Sequence, residues 1–288
     1  MILSDIQKQG LISPPYFLVD NTIYLTIMGS EAYGCCSNYS DKDLYGVTIP
    51  PKNQVFPHHE GRIFGFDFPQ EPWREWQKHH VDYNTNRYDF KIYSLIHFFH
   101  LLRKSNPTIL DSIFTSRECV MHSTEISEKI RQNRRLFLSK AAWPAYKGYA
   151  YSQLTKMKRE RVESNRKKLV DEHGYDTKFA YHIARLLNEA EQIFTKGDLD
   201  LRENSRQLIS IRNGEWSMEQ FINYAESKEK DLESIYLKST LPMNPPEDKV
   251  KELLVECLEM HYSKIPELHV DKYKMMIDKI GDIINAKI

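Results

Sequence analysis

The hydrophobic pattern of the chain changes character near residue 121. Before this point, short β-branched runs bounded by Gly, Pro and polar clusters predict strands over residues 22–28, 44–49 and 87–93. After it, apolar residues recur at helical spacing, which predicts helices over residues 123–134, 139–168, 177–196, 217–237, 248–262 and 271–285. The sequence therefore predicts an α/β half followed by an all-helical half.

Two further elements of the first half are predicted. Residues 50–86 form a polar and aromatic stretch with Trp73, Trp76 and several prolines, which indicates a long loop of the kind that is usually functional or mobile. The third strand leads into an apolar-faced helix predicted over residues 94–104, with Ser94 as its N-cap.

Composition argues against three classes of protein: nucleic-acid coat proteins, membrane-spanning proteins and secreted proteins. The 40 Lys and Arg residues balance the 40 Asp and Glu residues, which argues against a protein that coats nucleic acid nonspecifically. No apolar run approaches the roughly 18 residues of a membrane span, and no secretory signal is expected. We therefore expect a cytoplasmic protein with no membrane partner.

Cysteine and histidine patterns do not predict a zinc site. None of the four cysteines belongs to a C-x-x-C pair, and we interpret them as reduced thiols: Cys35, Cys36, Cys119 and Cys257. The two adjacent histidine pairs lack a zinc motif, and we interpret them as surface or loop residues: His58, His59, His79 and His80.

The most informative pattern joins a turn to three acids. The first predicted strand runs into Gly29 and Ser30, and Asp41 and Asp43 follow at the start of the second strand. Alternate residues of a strand point to one side, so the two carboxylates repel each other unless a divalent cation lies between them. Asp89 lies in the third strand, which could pair beside the second. Three acids on neighbouring strands suit two-metal phosphoryl or nucleotidyl transfer.

This pattern resembles a known signature. G-S-x-A-Y-G at residues 29–34, followed by S-D-x-D-L-x-G-V at residues 40–47, resembles the motif of the DNA polymerase β-like nucleotidyltransferase superfamily. Residues 89–111, 137–140, 148–154, 178–187 and 211–215 are similar to a branch of predicted bacterial and phage nucleotidyltransferases, some encoded beside RNA-repair enzymes. The resemblance implies an α+β fold, with a mixed-sheet catalytic domain over residues 1–124 and a helical substrate-binding domain over residues 125–288.

The resemblance also implies the metal ligands. Asp41 and Asp43 would bind two Mg²⁺ ions, with Mn²⁺ as a possible substitute. Asp89 would bind one of these ions and orient or deprotonate the attacking hydroxyl. Asp82 is an alternative third acid, although Asp89 is preferred because it leads directly into the apolar helix.

Nucleotide contacts follow from the same resemblance. Gly29 and Ser30 would hold the β- and γ-phosphates, and the full implied set is Gly29, Ser30, Tyr33, Lys178, His182 and Arg185. The last three residues are spaced i, i+4 and i+7, so they share one helical face, which could lie towards the triphosphate or the acceptor. The alternative is a histidine at the edge of the core with two flanking surface cations. Tyr181, Leu186 and Phe194 are predicted core residues.

The helical half begins with a strongly basic segment. Residues 131–168 contain twelve Lys and Arg residues but only two Glu, and the acidic helices that offset them come after about residue 215. Interleaved tyrosines favour a nucleic-acid surface, with an ordinary solvated helix face as the equal alternative. The predicted acceptor-binding residues are Lys147, Tyr151 and Lys156.

The sequence thus predicts a Mg²⁺-dependent enzyme that transfers NMP from an NTP, such as ATP, to an acceptor hydroxyl and releases pyrophosphate. RNA, including tRNA or a broken RNA end, is the predicted acceptor. Two alternatives stay open: transfer to a protein or a small molecule, as in some toxin–antitoxin systems, and a non-catalytic RNA-binding relative. The choice of NTP, the number of nucleotides added and the oligomeric state are open as well.

Overall fold

A mixed five-stranded sheet in the order β3-β4-β2-β1-β5 forms the centre of the protein. The computed structural model describes residues 1–35, 41–56, 72–157 and 164–263. The strands are β1 (Thr22–Ile27), β2 (Lys42–Thr48), β3 (Glu75–Tyr83), β4 (Asn86–Ser94) and β5 (Val120–Ser123). β2 and β4 pair in parallel and the other neighbours are antiparallel, which confirms the expected α+β class with a mixed sheet.

The parallel pairing of β2 with β4 sets the positions of the acids. Asp43 lies opposite Asp89 in this register, and Tyr45 lies opposite Lys91. Side chains alternate along a strand, so these four residues share one face of the sheet. The expectation that the third predicted strand pairs beside the second is therefore confirmed.

Helices cover both faces of the sheet. On the face away from the acids, α1 (Ile2–Lys8) buries Leu3 and Ile6 against Leu25, Leu44 and Phe90. The remaining helices are α2 (Gly29–Ala32), α3 (Lys52–Val55), α4 (Leu95–Arg103), α5 (Pro107–Phe114), α6 (Glu125–Gln132), α7 (Ala142–Met157), α8 (Ser164–His173), α9 (Thr177–Lys196), α10 (Ser205–Arg212), α11 (Met218–Lys238) and α12 (Glu247–Tyr262). Within the described ranges, no helix combines the length and apolar character needed to cross a bilayer.

Local sequence explains where the best-predicted helices begin. The hydroxyl of Ser94 accepts the backbone N–H of His97 at 3.2 Å, which confirms the predicted cap of α4. The carboxylate of Asp176 accepts two backbone N–H groups at the start of α9. The Gly197 backbone, with φ 59°, then ends α9 in the left-handed conformation.

Several predictions of the elements were wrong. The stretch over residues 50–86 is not one loop, because it contains α3 and β3. The predicted helix over residues 139–168 is not among these errors, because α7 and α8 cover its described residues from 142 onward and residues 158–163 lie outside the described part. Helices α1, α5 and α10 were not predicted, and the predicted helix over residues 271–285 lies outside the described residues.

One hydrophobic cluster joins residues from both halves of the chain. It extends from Ile23 in β1 to Cys257 in α12 and includes buried residues of α4, α5, α7 and α9. Tyr181, Leu186 and Phe194 belong to this core, as expected. The division into domains over residues 1–124 and 125–288 stays a prediction. Cys35, Cys119 and Cys257 are buried thiols, and Cys36 lies outside the described residues.

Candidate active site

Three carboxylates lie at one end of β2 and β4. Asp43 and Asp89 face each other across the parallel pair, and Asp41 directly precedes β2. One ligand atom each from Asp41, Asp89 and His80 lies within 4.8 Å of the other two. Carboxylate oxygens suit Mg²⁺, and an added imidazole nitrogen also suits Mn²⁺ and later transition metals. This donor set therefore fits a divalent cation.

The surroundings of Asp43 disfavour the ionised form of its carboxyl group. Burial raises the pKa of its carboxyl group, the nearby charge of Asp89 raises it further, and Lys178 opposes both effects. A raised pKa means that the ionised form of Asp43 is poorly compensated by the protein alone. A bound cation would supply the missing positive charge.

A bulge in β3 brings two histidines against Asp89. The pairing of β3 with β4 shifts between Lys78 and Val81, and His80 has a φ of 55°. The His80 backbone N–H donates to Asp89 Oδ1 at 2.7 Å, and His79 Nδ1 lies 3.4 Å from Asp89 Oδ2. Both histidines are exposed, as expected, but they lie on a strand beside the third carboxylate and not in a loop. The only signal for this in the sequence is a histidine pair within a polar run.

The structure separates the two candidates for the third acid. Asp82 is exposed and accepts a hydrogen bond from Arg87 Nε at 2.9 Å, which lowers the pKa of its carboxyl group. Its position in β3 is paired with Arg87 in β4. Asp89, and not Asp82, therefore lies beside Asp43.

Gly29 lies directly against Asp43. The Met28 backbone N–H donates to the Asp43 carbonyl oxygen at 2.7 Å, which ties the end of β1 to the start of β2. Gly29 has a φ of 62°, and a Cβ atom at this position would lie 2.1 Å from Asp43 Oδ2. Only glycine combines this backbone conformation with this close approach. Ser30 follows, half-buried, so the predicted phosphate-binding turn adjoins the carboxylates.

Tyr33 and Arg185 belong to a buried charged cluster. Arg185 Nη1 donates to Asp111 Oδ2 at 2.7 Å and also bonds to the Tyr33 hydroxyl, which donates to the same carboxylate oxygen at 2.7 Å. Glu189, one turn further along α9, completes the cluster. Both predicted nucleotide-binding side chains are therefore interior, and they do not lie on a surface that faces the substrate. In this position they hold the turn after Ser30 against α5 and α9.

The other two members of the predicted helical face lie closer to the solvent. Lys178 is exposed at the start of α9, and its charge acts on Asp43. His182 is half-buried and lies against the Tyr181 ring, with 4.8 Å between ring centroids. The helix therefore runs from a cation beside the acids to a buried ion pair.

Acidic helices neutralise part of the basic segment. Lys147 pairs with Glu229 at 2.7 Å and Glu233 at 2.9 Å, both on α11. Of the predicted acceptor-binding residues, Tyr151 (71% exposed) and Lys156 remain accessible on α7. The Lys147 charge is thus largely compensated within the protein.

Trp73 lines a cavity at the other end of β4. This cavity measures about 280 Å³ and is also lined by Ser94, His97 and His100. Ser94 is five residues beyond Asp89, a distance of about 16 Å along a strand. The cavity is therefore separate from the carboxylates.

The sheet, the strand-borne acids and the glycine turn define the class of polymerase β-like nucleotidyltransferases. The model of the family described as "RlaP: RNA repair pathway DNA polymerase beta family" matches residues 3–254. The chain belongs to this family.

A curated relative and a solved structure are also similar. Over 146 residues the chain is 27% identical to an uncharacterised 38.9 kDa protein from the nrdC–mobD intergenic region of Enterobacteria phage T4. That alignment covers 47% of this chain and 38% of the phage protein. A nucleotidyltransferase-like protein from Exiguobacterium sibiricum aligns over 91% of this chain and 73% of its own, with 11% identity and a TM-score of 0.29.

Proposed function

We propose that this protein transfers a nucleoside monophosphate from an NTP to an acceptor hydroxyl, with release of pyrophosphate. The observation that carries the proposal is the register of β2 with β4, which places Asp43 opposite Asp89. Gly29 also supports the proposal, because it has no Cβ atom and therefore leaves room for the Asp43 carboxylate.

Asp41 and Asp89 would hold divalent cations, Mg²⁺ by preference, and His80 would add a nitrogen ligand beside Asp89. Asp43, opposite Asp89 in the strand pair, would supply the third carboxylate. When bound, these ions would neutralise charge on the phosphates and lower the pKa of the attacking hydroxyl. Gly29 and Ser30 would contact the β- and γ-phosphates, and the Lys178 ammonium, whose charge acts on Asp43, would add positive charge to the site.

The bond changes are those of an in-line displacement. The acceptor oxygen forms a bond to the α-phosphorus, and the bond from this phosphorus to the α–β bridging oxygen breaks. Pyrophosphate leaves with that electron pair, and the hydroxyl proton passes to the Asp89 carboxylate. The protein contributes mainly by positioning the two substrates and by stabilising charge.

RNA is the proposed acceptor. The RNA repair pathway in the family description supports it, as do the exposed Tyr151 and Lys156 on α7. Transfer to a protein or a small molecule is the alternative outcome of the test below.

The test incubates the protein with each labelled NTP, Mg²⁺ and total RNA, followed by intact-mass analysis of RNA and protein. We expect labelled RNA from the wild type, and a loss of at least about 100-fold in Asp43→Asn and Asp89→Asn. Asp82→Asn is the matched control and should keep wild-type activity, because this carboxylate is exposed and pairs with Arg87. An unlabelled RNA pool, or equal activity in all four proteins, would contradict the proposal.

A further inference from the structure

A pocket of about 430 Å³ opens between the sheet, the α4–α5 turn and α7. Its lining includes Tyr45, Lys91, Tyr93, Lys104, Thr108 and Tyr149. This volume lies within the usual range for small-molecule sites. No carboxylate lines it in the described part of the chain, although Glu75 lies 3.7 Å from the Lys91 ammonium.

The pocket continues the face of the sheet that carries the acids. Tyr45 follows Asp43 by two residues in β2, and Lys91 follows Asp89 by two residues in β4. Two residues of a strand span about 6.6 Å, so the pocket begins one side chain beyond the carboxylates. Tyr149 on α7 lines the same pocket, so the pocket extends from the strands that carry the acids to α7.

The lining combines aromatic rings with positive charge. The Tyr45 and Tyr93 rings lie 6.1 Å apart between centroids, and the Lys91 ammonium lies 5.3 Å from the Tyr93 ring centroid. Tyr149 faces them from α7, and Lys104 is exposed at the rim. Proteins bind single-stranded nucleic acid in this way: aromatic rings stack on the bases, and nearby cations bind the phosphates.

The pocket and the Gly29–Ser30 turn lie on different sides of the carboxylates, so each can be assigned to a different substrate, the RNA acceptor or the NTP. The Gly29–Ser30 turn approaches Asp43 from the β1 side, whereas Lys91 and Tyr93 lie on β4 together with Asp89. We propose that this pocket binds the terminal nucleotide of the RNA acceptor, with its base stacked on Tyr149 and its phosphate near Lys91 and Lys104. This inference rests on the proposed function, because it assigns the β1 side to the NTP phosphates.

Tyr149→Ala, Tyr149→Phe and Lys104→Met test the pocket by RNA binding. The probe is a fluorescent single-stranded RNA with a free 3′ end, and anisotropy gives its Kd. We expect Tyr149→Ala to raise the Kd about 5- to 150-fold, which corresponds to the roughly 1–3 kcal/mol of one base–aromatic stack. Tyr149→Phe keeps the ring and should stay within about twofold. Lys104→Met should reduce the salt slope of log K by about 0.7, the value of one single-strand phosphate contact.

Two further measurements complete the design. Tyr16→Ala is the matched control, because Tyr16 is 75% exposed and packs beside Phe17 on the opposite face of the sheet. A 4-thiouridine at the 3′ end of the RNA should photocross-link to peptides that contain Tyr45 or Tyr149. Titration with a non-hydrolysable NTP should give the same Kd for the wild type and Tyr149→Ala.

The outcomes separate the two proposals. Unchanged RNA affinity in Tyr149→Ala, or weaker NTP binding with RNA binding intact, would overturn the pocket assignment. Cross-links confined to other peptides would do the same. If the wild type binds and cross-links RNA as expected but transfers no nucleotide, the proposed reaction fails and the pocket assignment stands.

Discussion

Replacing Glu189 by glutamine should stabilise the protein, and the gain should grow as the pH rises. Glu189 is 3% exposed, and one of its carboxyl oxygens lies 3.5 Å from Arg185 Nη1. That guanidinium already donates to Asp111 at 2.7 Å. One cation therefore faces two buried carboxyl groups, and burial raises the pKa of Glu189 well above its usual value.

Glu189, rather than Asp111, should carry the proton. Burial raises the pKa of Asp111 as well, but its Oδ2 accepts hydrogen bonds from both Arg185 and Tyr33. Among the residues that the structure describes, neither carboxyl oxygen of Glu189 has a hydrogen-bond partner. An ionised Glu189 would thus be a second buried anion that shares the single Arg185 cation with Asp111.

The magnitude follows from proton linkage. A glutamate in the unfolded chain titrates near pH 4.3, so between about pH 5 and the raised pKa the folded protein binds one proton more than the unfolded chain. The stability that protonated Glu189 provides is complete below this window and declines as the pH rises. The free energy of unfolding should fall by about 1.4 kcal/mol per pH unit through this group. Glutamine binds no proton, so the variant avoids this loss.

Urea unfolding at pH 5.5, 6.5 and 7.5 measures the effect. The free energy of unfolding of Glu189→Gln should exceed that of the wild type by a margin that grows by up to about 1.4 kcal/mol per pH unit. Glu191→Gln is the matched control, since Glu191 lies on the same helix with 37% of its side chain exposed. If Glu189→Gln lowers stability by a constant amount at every pH, Glu189 is ionised and the reasoning is refuted.

Three further substitutions test the site and its support. Gly29→Ala should reduce nucleotidyl transfer at least about 100-fold in a steady-state assay, because the new Cβ displaces the Asp43 carboxylate. His80→Gln should remove imidazole nitrogen coupling from pulsed EPR spectra of bound Mn²⁺, whereas His79→Gln should retain it. Arg131→Met should lower the free energy of unfolding by about 2–4 kcal/mol in urea titrations, because it removes a buried guanidinium that donates three hydrogen bonds.

The placement of the three acids on neighbouring strands was predictable, because the hydrophobic pattern and the spacing of the acids indicate the same strands. The β-branched run before Gly29 and the Asp41–Asp43 spacing define two strands, and the alternating run through Asp89 defines a third. To predict that Asp89 lies near Asp41 and Asp43, it was enough to assume that the second and third strands pair. The parallel register that aligns Asp43 with Asp89 is a tertiary property and comes from the structure alone.

Other features depend on contacts that are distant in sequence. β3 was not predicted, because most of residues 75–80 are exposed and polar and the sequence therefore lacks the alternation of apolar and polar residues that is typical of a strand. The spacing of Lys178, His182 and Arg185 places them on one helical face but does not reveal what covers that face. The partner of Arg185 is Asp111, which lies 74 residues earlier in the chain. A charged residue in such a pair has the sequence pattern of a surface residue.

The cluster that links α5 to α9 also sets an order of events during synthesis. Asp111 leaves the ribosome 74 residues before Arg185. At about 5–20 residues per second, the carboxylate waits on the order of 4–15 seconds for the cation that pairs with it. Until α9 arrives, α7 lacks the helix against which it packs. The nascent chain therefore has an interval in which a chaperone that binds apolar surface would find the apolar side chains of α7 uncovered.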